Sequence, residues 1–208
     1  MRRRSARRLT AAGAALAVGL LSVACSSQIQ GTAQPGAGPA STTTTTSAAP
    51  SGLLESQPFA GSGFTIRAPR GWNVDRSGAL GADVIFRNPR ADPIGTGSFA
   101  ANINILSPPA SGTLDDVVQS LKSEINRQLP DFQVVDDEAA RTTSGLDAYF
   151  YGGTFTQTAQ LAEQLRDLRL IVLDGTTAYV ISGTTLASTY SRYEPAIRAS
   201  LLSFAASP

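Results

Sequence analysis

Apolar and polar residues alternate through Gly63-Phe64-Thr65-Ile66-Arg67-Ala68-Pro69, the two-residue period of a half-buried strand, and Arg70-Gly71-Trp72 reads as the turn after it. Residues 83–87 predict a second short strand, closed by Asn88-Pro89, and residues 90–98 read as loop. A third strand is expected over 99–106, with Ala101, Ile103 and Ile105 on one face and Asn102 and Asn104 on the other. The period then changes. Leu114, Val117, Val118, Leu121 and Ile125 form a helical stripe within 113–129. Thr113 suits its cap, Asp115 and Asp116 suit the positive end of its dipole, and Pro130 ends it. Residues 132–135 and 146–155 read as strands, with a bulge expected at Gly152-Gly153. Tyr149 and Tyr151 share one face of the second, and Phe150 takes the other.

Two further runs, 168–173 and 177–181, flank Asp174-Gly175, a hairpin signal in which both turn residues take positive φ. The first run is apolar on both faces except at Arg169, which places it centrally, with a layer on each side. Leu186, Tyr190, Tyr193, Ile197 and Leu201 then share a last helical stripe. Pro195 either kinks one helix or sits in the first turn of a shorter one capped by Ser191 with Glu194. The order predicts an α+β domain over residues 56–208, a mainly antiparallel sheet covered by two main helices.

The first 24 residues follow a different rule. Arg2, Arg3, Arg4, Arg7 and Arg8 head a stretch of sixteen uncharged residues, Leu9 to Ala24. A basic head before a short apolar run is a secretory signal pattern, and the run is shorter than the roughly 20 residues a transmembrane helix needs. Arg7-Arg8 could be read as a twin-arginine signal, but the residues after it fit a plain basic head better. The stretch ends Leu21-Ser22-Val23-Ala24-Cys25, which resembles a bacterial lipobox, with Ser22 departing from the usual aliphatic residue. That resemblance implies cleavage before Cys25 and acylation of its thiol, palmitate-type chains holding the protein to the outer face of the cell membrane. Residues 26–54 carry no charge and are rich in Ser, Thr, Ala, Gly and Pro. Such a segment cannot bury enough apolar surface to fold, so residues 25–55 read as a lipidated cysteine and a disordered stalk. About 30 residues of flexible chain reach about 30 Å. Its Ser/Thr tract could carry O-linked sugars or serve as a bare spacer.

Composition narrows the chemistry. The 208 residues are 42% hydrophobic, enough for a sizeable core, and include no histidine and one cysteine. Serine–histidine and cysteine–histidine catalysis, an intrachain disulfide and a cysteine/histidine zinc site are thereby excluded. Seventeen basic and sixteen acidic residues give +1, and losing the five signal arginines leaves −4, so no nucleic-acid partner is expected. Gly95-Thr96-Gly97-Ser98 is glycine-rich but lacks the lysine of a P-loop and precedes a strand, so it reads as loop. Asp115-Asp116 and Asp136-Asp137-Glu138 are the carboxylate clusters. Without EF-hand spacing they read as a helix N-terminus and a solvated loop. No catalytic residue, metal site or cofactor is expected. The rings of Trp72, Tyr149, Tyr151, Tyr179, Tyr190 and Tyr193 read as core packing, or as the lining of an apolar pocket or recognition patch.

Gly63 to Trp72 resembles the strand and Pro-x-Gly-Trp opening of Mog1/PsbP-like domains, here Pro69-Arg70-Gly71-Trp72. The helix beginning Thr113-Leu114-Asp115 is similar to their first helix, and Ser203-Phe204 to their closing element. With the lipobox and stalk, the whole resembles the actinobacterial LpqN/LpqT-type lipoproteins. The resemblance covers about 150 residues and implies an α/β/α sandwich of a class whose members are generally non-catalytic binding or assembly modules. The function expected is a membrane-anchored, extracytoplasmic lipoprotein that binds an envelope or secreted protein. A lipid or glycolipid carrier in the envelope is the alternative, and a carboxylate-based hydrolase a minor one.

Overall fold

The computed structural model describes residues 52–156 and 163–207. Along the chain run β1 (Phe59–Ala60), β2 (Phe64–Ile66), β3 (Asn73–Asp75), β4 (Val84–Arg87), β5 (Asp92–Ile94), β6 (Gly97–Phe99) and β7 (Asn102–Leu106). Helix α1 (Leu114–Gln128) follows, then β8 (Gln133–Arg141), β9 (Asp147–Phe155), β10 (Leu165–Asp174), β11 (Thr177–Leu186), α2 (Tyr190–Leu202) and β12 (Ala205–Ala206). Seven strands make one sheet in the order β3-β4-β7-β11-β10-β9-β8, and every pairing in it is antiparallel. β1, β2 and β12 form a small separate sheet, and β5 and β6 a hairpin.

The α+β expectation holds, with a helix on each face of the sheet. On one face, Val84, Phe86, Ile103, Ile105, Phe150, Leu168, Leu170 and Ile181 pack against Ile197 and Leu201 of α2, with Phe64, Ile66 and Phe204 of the small sheet and its flank. On the other, Tyr151, Ile171 and Val180 pack against Val118, Leu121 and Ile125 of α1. β10 sits inside the sheet with a helical layer on each side, as its run of apolar residues requires. α1 begins as its sequence indicates. The Thr113 hydroxyl accepts from the Asp116 N–H at 3.2 Å, and the Asp116 carboxylate accepts from the Thr113 N–H at 2.8 Å, a closed capping box.

Several local expectations are corrected. Residues 90–98 are not plain loop: β5 and β6 pair there, with Gly95 at φ 55° in the turn. The bulge lies on β8, between Val134 and Asp136, directly opposite Gly152 and Gly153. Those glycines allow it, because a Cβ on Gly153 would run into the Phe132 ring and the Gln133 carbonyl. In the β10–β11 hairpin Asp174 pairs with Thr177, so the turn residues are Gly175 and Thr176, and of the two only Gly175 takes positive φ. That is the pattern of a type II′ turn, with glycine first. Leu186 ends β11 and packs with Phe155 and Leu165, so it does not belong to the last helix's stripe. Pro195 lies within one helix that starts at Tyr190, five residues before it. Leu53, Leu54 and Glu55 pair with residues 68–70, through the Leu53 carbonyl, the Glu55 N–H and a bridge from Leu54 to Pro69.

Candidate functional site

Each face of the large sheet can be read row by row from its register. On the α2 face the rows are Phe86–Ile103–Gly183–Leu168–Gly152 and Val84–Ile105–Ile181–Leu170–Phe150, across β4, β7, β11, β10 and β9. They are apolar but for two glycines. Gly183 leaves room for α2, since a Cβ there would collide with Ile197. A Cβ on Gly152 would crowd Arg166 and Asp136.

Charges on this face close on one another. Arg166, 6% exposed, pairs with Asp136, which also pairs with Arg198 of α2 at 2.9 Å. Arg198 reaches Glu138 at 3.4 Å and lies over the Phe150 ring at 4.6 Å. The Arg166 guanidinium lies over the Tyr190 ring at 4.6 Å, and burial pushes that phenol up to about 12. Beside α1, Lys122 pairs with Asp137, and the Tyr149 hydroxyl donates to the same carboxylate at 2.6 Å. Burial disfavours the Lys122 charge, yet the bonds to Asp137 and Tyr149 outweigh it and hold its pKa above the ordinary value. Those from Lys122 and Tyr149 hold Asp137 below its own.

The acidic run therefore lies in strand β8, not in a solvated loop. Alternation sends Asp136 and Glu138 to cations on the α2 face and Asp137 to Lys122, so each carboxylate has a cation from another element. Asp116 is tied into the cap of α1, where bonds from Thr113 hold its carboxyl below the ordinary range. Asp115 and Asp116 are not gathered with the β8 acids. Among the described residues no three His, Cys, Asp or Glu side chains are grouped to hold a metal ion. Cys25, the expected lipid attachment, lies outside the described residues, with the signal and most of the stalk. The aromatic residues of β9 are split as alternation expects: Tyr149 and Tyr151 pack toward α1 and Phe150 toward α2.

The α1 face differs. Its middle rows are Arg87–Asn102–Thr184–Asp167–Gly153 and Ile85–Asn104–Ser182–Arg169–Tyr151. On one side they are bounded by Ile171 and Val180 under α1. On the other stands the apolar cluster of Phe155, Leu165 and Leu186, joined by Ile94 and Phe99 of the β5–β6 hairpin and by Leu129 and Phe132. Asn104, Ser182 and Thr184 make no side-chain hydrogen bond to other described residues. Asp167, 2% exposed, pairs with Arg169 through Oδ2 and Nη2. Its Oδ1 and the Arg169 Nη1 are buried, with no hydrogen-bond partner among the described residues. Burial raises the Asp167 carboxyl, opposed by Arg169 and Arg166. The floor deepens from half-buried Asn102, Asn104 and Thr184 to buried Ser182 and Asp167. Sequence reasoning placed Asn102 and Asn104 on one face but missed the site. Its signal was polar residues at the inward positions of β10 and β11, Asp167, Ser182 and Thr184, legible only once register sets them side by side.

No family model and no curated protein sequence matches the chain. Solved structures do. Cyanobacterial PsbP from Synechocystis aligns over 82% of this chain and all of its own, at TM-score 0.53 and 18% identity. LpqN of Mycobacterium tuberculosis, involved in cell envelope biogenesis, aligns over 74% of this chain and 92% of its own, at TM-score 0.52 and 16% identity. A Pseudomonas aeruginosa protein of unknown function, PA94, aligns over 76% and 99%, at 0.52 and 15%. These likenesses establish the fold: the described domain is a Mog1/PsbP-like α+β sandwich.

Proposed function

We propose that the chain is a membrane-anchored lipoprotein of the cell envelope whose extracytoplasmic domain is a non-catalytic binding or assembly module for an envelope or secreted protein. One observation carries the reading: the charged clusters close into internal pairs, while Asn104, Ser182 and Thr184 on the α1 face make no side-chain hydrogen bond to other described residues. Polar side chains that the fold itself does not use are available to a partner. Anchoring through Cys25 rests on the Leu21-Ser22-Val23-Ala24-Cys25 pattern, and no described helix is long and apolar enough to cross a membrane. Similarity in fold to an envelope-biogenesis protein supports the setting.

A second reading, a lipid or glycolipid carrier, is favoured by the apolar cluster of Phe155, Leu165 and Leu186 beside the polar rows, a pairing that suits an amphiphile. Native crosslinking of the acylated protein in its own membranes tests the first reading, which expects a reproducible protein adduct. Failure to recover any protein above background, with a stoichiometric lipid-sized mass released on denaturation, would replace it with the carrier.

A further inference from the structure

We propose that the end of the domain at which the chain enters the fold is a docking surface for anionic phospholipid headgroups, formed by Arg70, Arg87 and Arg90. The inference rests on the membrane-anchored reading and adds how the domain would sit on its membrane. Every basic residue from Lys122 onward is in an ion pair. None of the five arginines from Arg67 to Arg90 pairs with a carboxylate of the described residues. Topology gathers three of them. Asn73 of β3 lies opposite Arg87 of β4, so the start of one strand and the finish of the other share one end of the sheet. Arg70 sits in the turn that leads into β3, where the Trp72 N–H donates to the Pro69 carbonyl at 3.2 Å. An Asx turn follows Arg87, the Arg90 N–H donating to Asn88 Oδ1 at 2.9 Å. All three arginines are exposed.

The chain enters the fold at this same end, where the Leu53 carbonyl accepts from the Arg70 N–H at 2.8 Å. An anchor on the residues before Leu53 therefore brings this end nearest the bilayer. The opposite end has the other sign. Asp83 precedes β4, Asp174 closes β10, and Asp115 and Asp116 open α1, whose approach is held beside the β10–β11 turn by the bridge from Pro109 to Thr177. All four acids are exposed. Arg76, over the Phe59 ring at 4.3 Å, is the arginine beside them. Near the three arginines, Asp92 is buried against Arg192, the Glu55 carboxylate accepts from the Gly71 N–H at 2.7 Å, and that of Asp75 accepts from the Ser77 N–H at 2.9 Å. Asp131 and Glu163 stand before β8 and β10, three or more strands from β4, which is about 14 Å or more and beyond the Debye length of about 8 Å in physiological salt. An anionic surface attracts one end of such a domain and repels the other, so charge orients it. Guanidinium forks suit phosphate oxygens, and a tether keeps the effective concentration high enough for weak contacts to hold.

Trp72, the chain's single tryptophan, follows Arg70 and Gly71 and reports on this end without modification. The chain from Cys25 onward is coupled through that lone cysteine to a maleimide phospholipid, and energy transfer from Trp72 to dansyl-labelled lipid is read. Vesicles of phosphatidylcholine are compared with vesicles in which about 30% of it is replaced by phosphatidylglycerol, which supplies the negative surface. Transfer should be higher on the anionic vesicles and should fall to the neutral level in about 1 M NaCl, where the Debye length is about 3 Å. Arg87→Gln should lower the docked-to-free ratio about fivefold, and Arg70→Gln/Arg87→Gln/Arg90→Gln should abolish the difference between vesicles. Asp115→Asn/Asp174→Asn, at the other end, should preserve it. Circular dichroism checks that each variant is folded; if the triple variant is not, Arg90→Gln gives a second single-site reading. Equal transfer on both vesicles, a difference that salt does not remove, or arginine variants that behave as the wild type overturn the proposal. Binding of poly-glutamate without any response to anionic vesicles also overturns it, and assigns the arginines to an acidic protein. A native mass without acyl chains would end the anchoring reading, whereas the vesicle result, obtained with a supplied tether, decides the docking surface separately.

Discussion

The two faces of the large sheet are built from the same strands, yet they do different work. Toward α2, Phe86, Ile103, Leu168, Leu170 and Ile181 are fully buried, two glycines seat what lies above them, and the charged fringe pairs internally. Toward α1, residues of β7, β10 and β11 put two asparagines, a serine, a threonine and a one-armed ion pair in the middle of the sheet. A face chosen only for stability would fill those positions with apolar side chains, because a buried polar group without a partner costs about 1–3 kcal/mol. Both faces pack a helix and hold the fold together, but the α1 face also carries polar groups that the described residues do not pair, at a cost to stability.

The contrast can be broken most severely on the α2 face. Phe86→Ala empties a fully buried position and should cost about 3–5 kcal/mol. Urea unfolding would check it. Asp136→Ala removes the carboxylate shared by Arg166 and Arg198 and leaves Arg166, almost fully buried, without its counter-ion. The expected loss is about 3 kcal/mol, the low end for a buried pair because Asp136 is partly open to solvent. Gly183→Ala forces a methyl group against Ile197 and should cost about 1–3 kcal/mol through overpacking.

Acid titration sharpens the comparison further. Burial raises the Asp167 carboxyl, so the folded protein holds this proton to higher pH than the unfolded chain does. The resulting stabilisation is fully present below the unfolded pKa and is lost as pH rises through the folded one. Asp137, held low by Lys122 and Tyr149, works in the opposite sense: its contribution is present above the unfolded pKa and is lost as pH falls through the folded one. Melting temperatures recorded from the ordinary carboxylate range toward neutrality should therefore fall more steeply in the wild type than in Asp167→Asn. Parallel curves would mean that Asp167 is not the buried acid described.

Much of this fold is legible in the sequence because its signals are local. The stripe of α1, its Thr113 cap and the alternation around Phe150 each involve residues close in the chain, and the structure keeps them. What failed to read depends on partners far away. Asp136, Asp137 and Glu138 look like a loop until Arg166, Arg198 and Lys122 arrive from other elements to neutralise them. The β5–β6 hairpin is too short to show a period. Leu186 fits a helical stripe by spacing, yet strand pairing with Leu165 claims it. The candidate site is the extreme case, since Asn104, Ser182 and Arg169 are neighbours only through the register of three strands, separated in sequence by a helix and two other strands.

The most direct test of the division between the faces needs no ligand. The variant Asn104→Leu/Ser182→Ala/Thr184→Val removes the uncommitted polar groups of the α1 face while leaving Asp167 and Arg169 in place. Its unfolding free energy in urea should equal or exceed that of the wild type, because polar groups that make no hydrogen bond within the described residues contribute nothing to the isolated fold. A loss of more than about 2 kcal/mol would show that these residues hold the domain together, and would contradict the account.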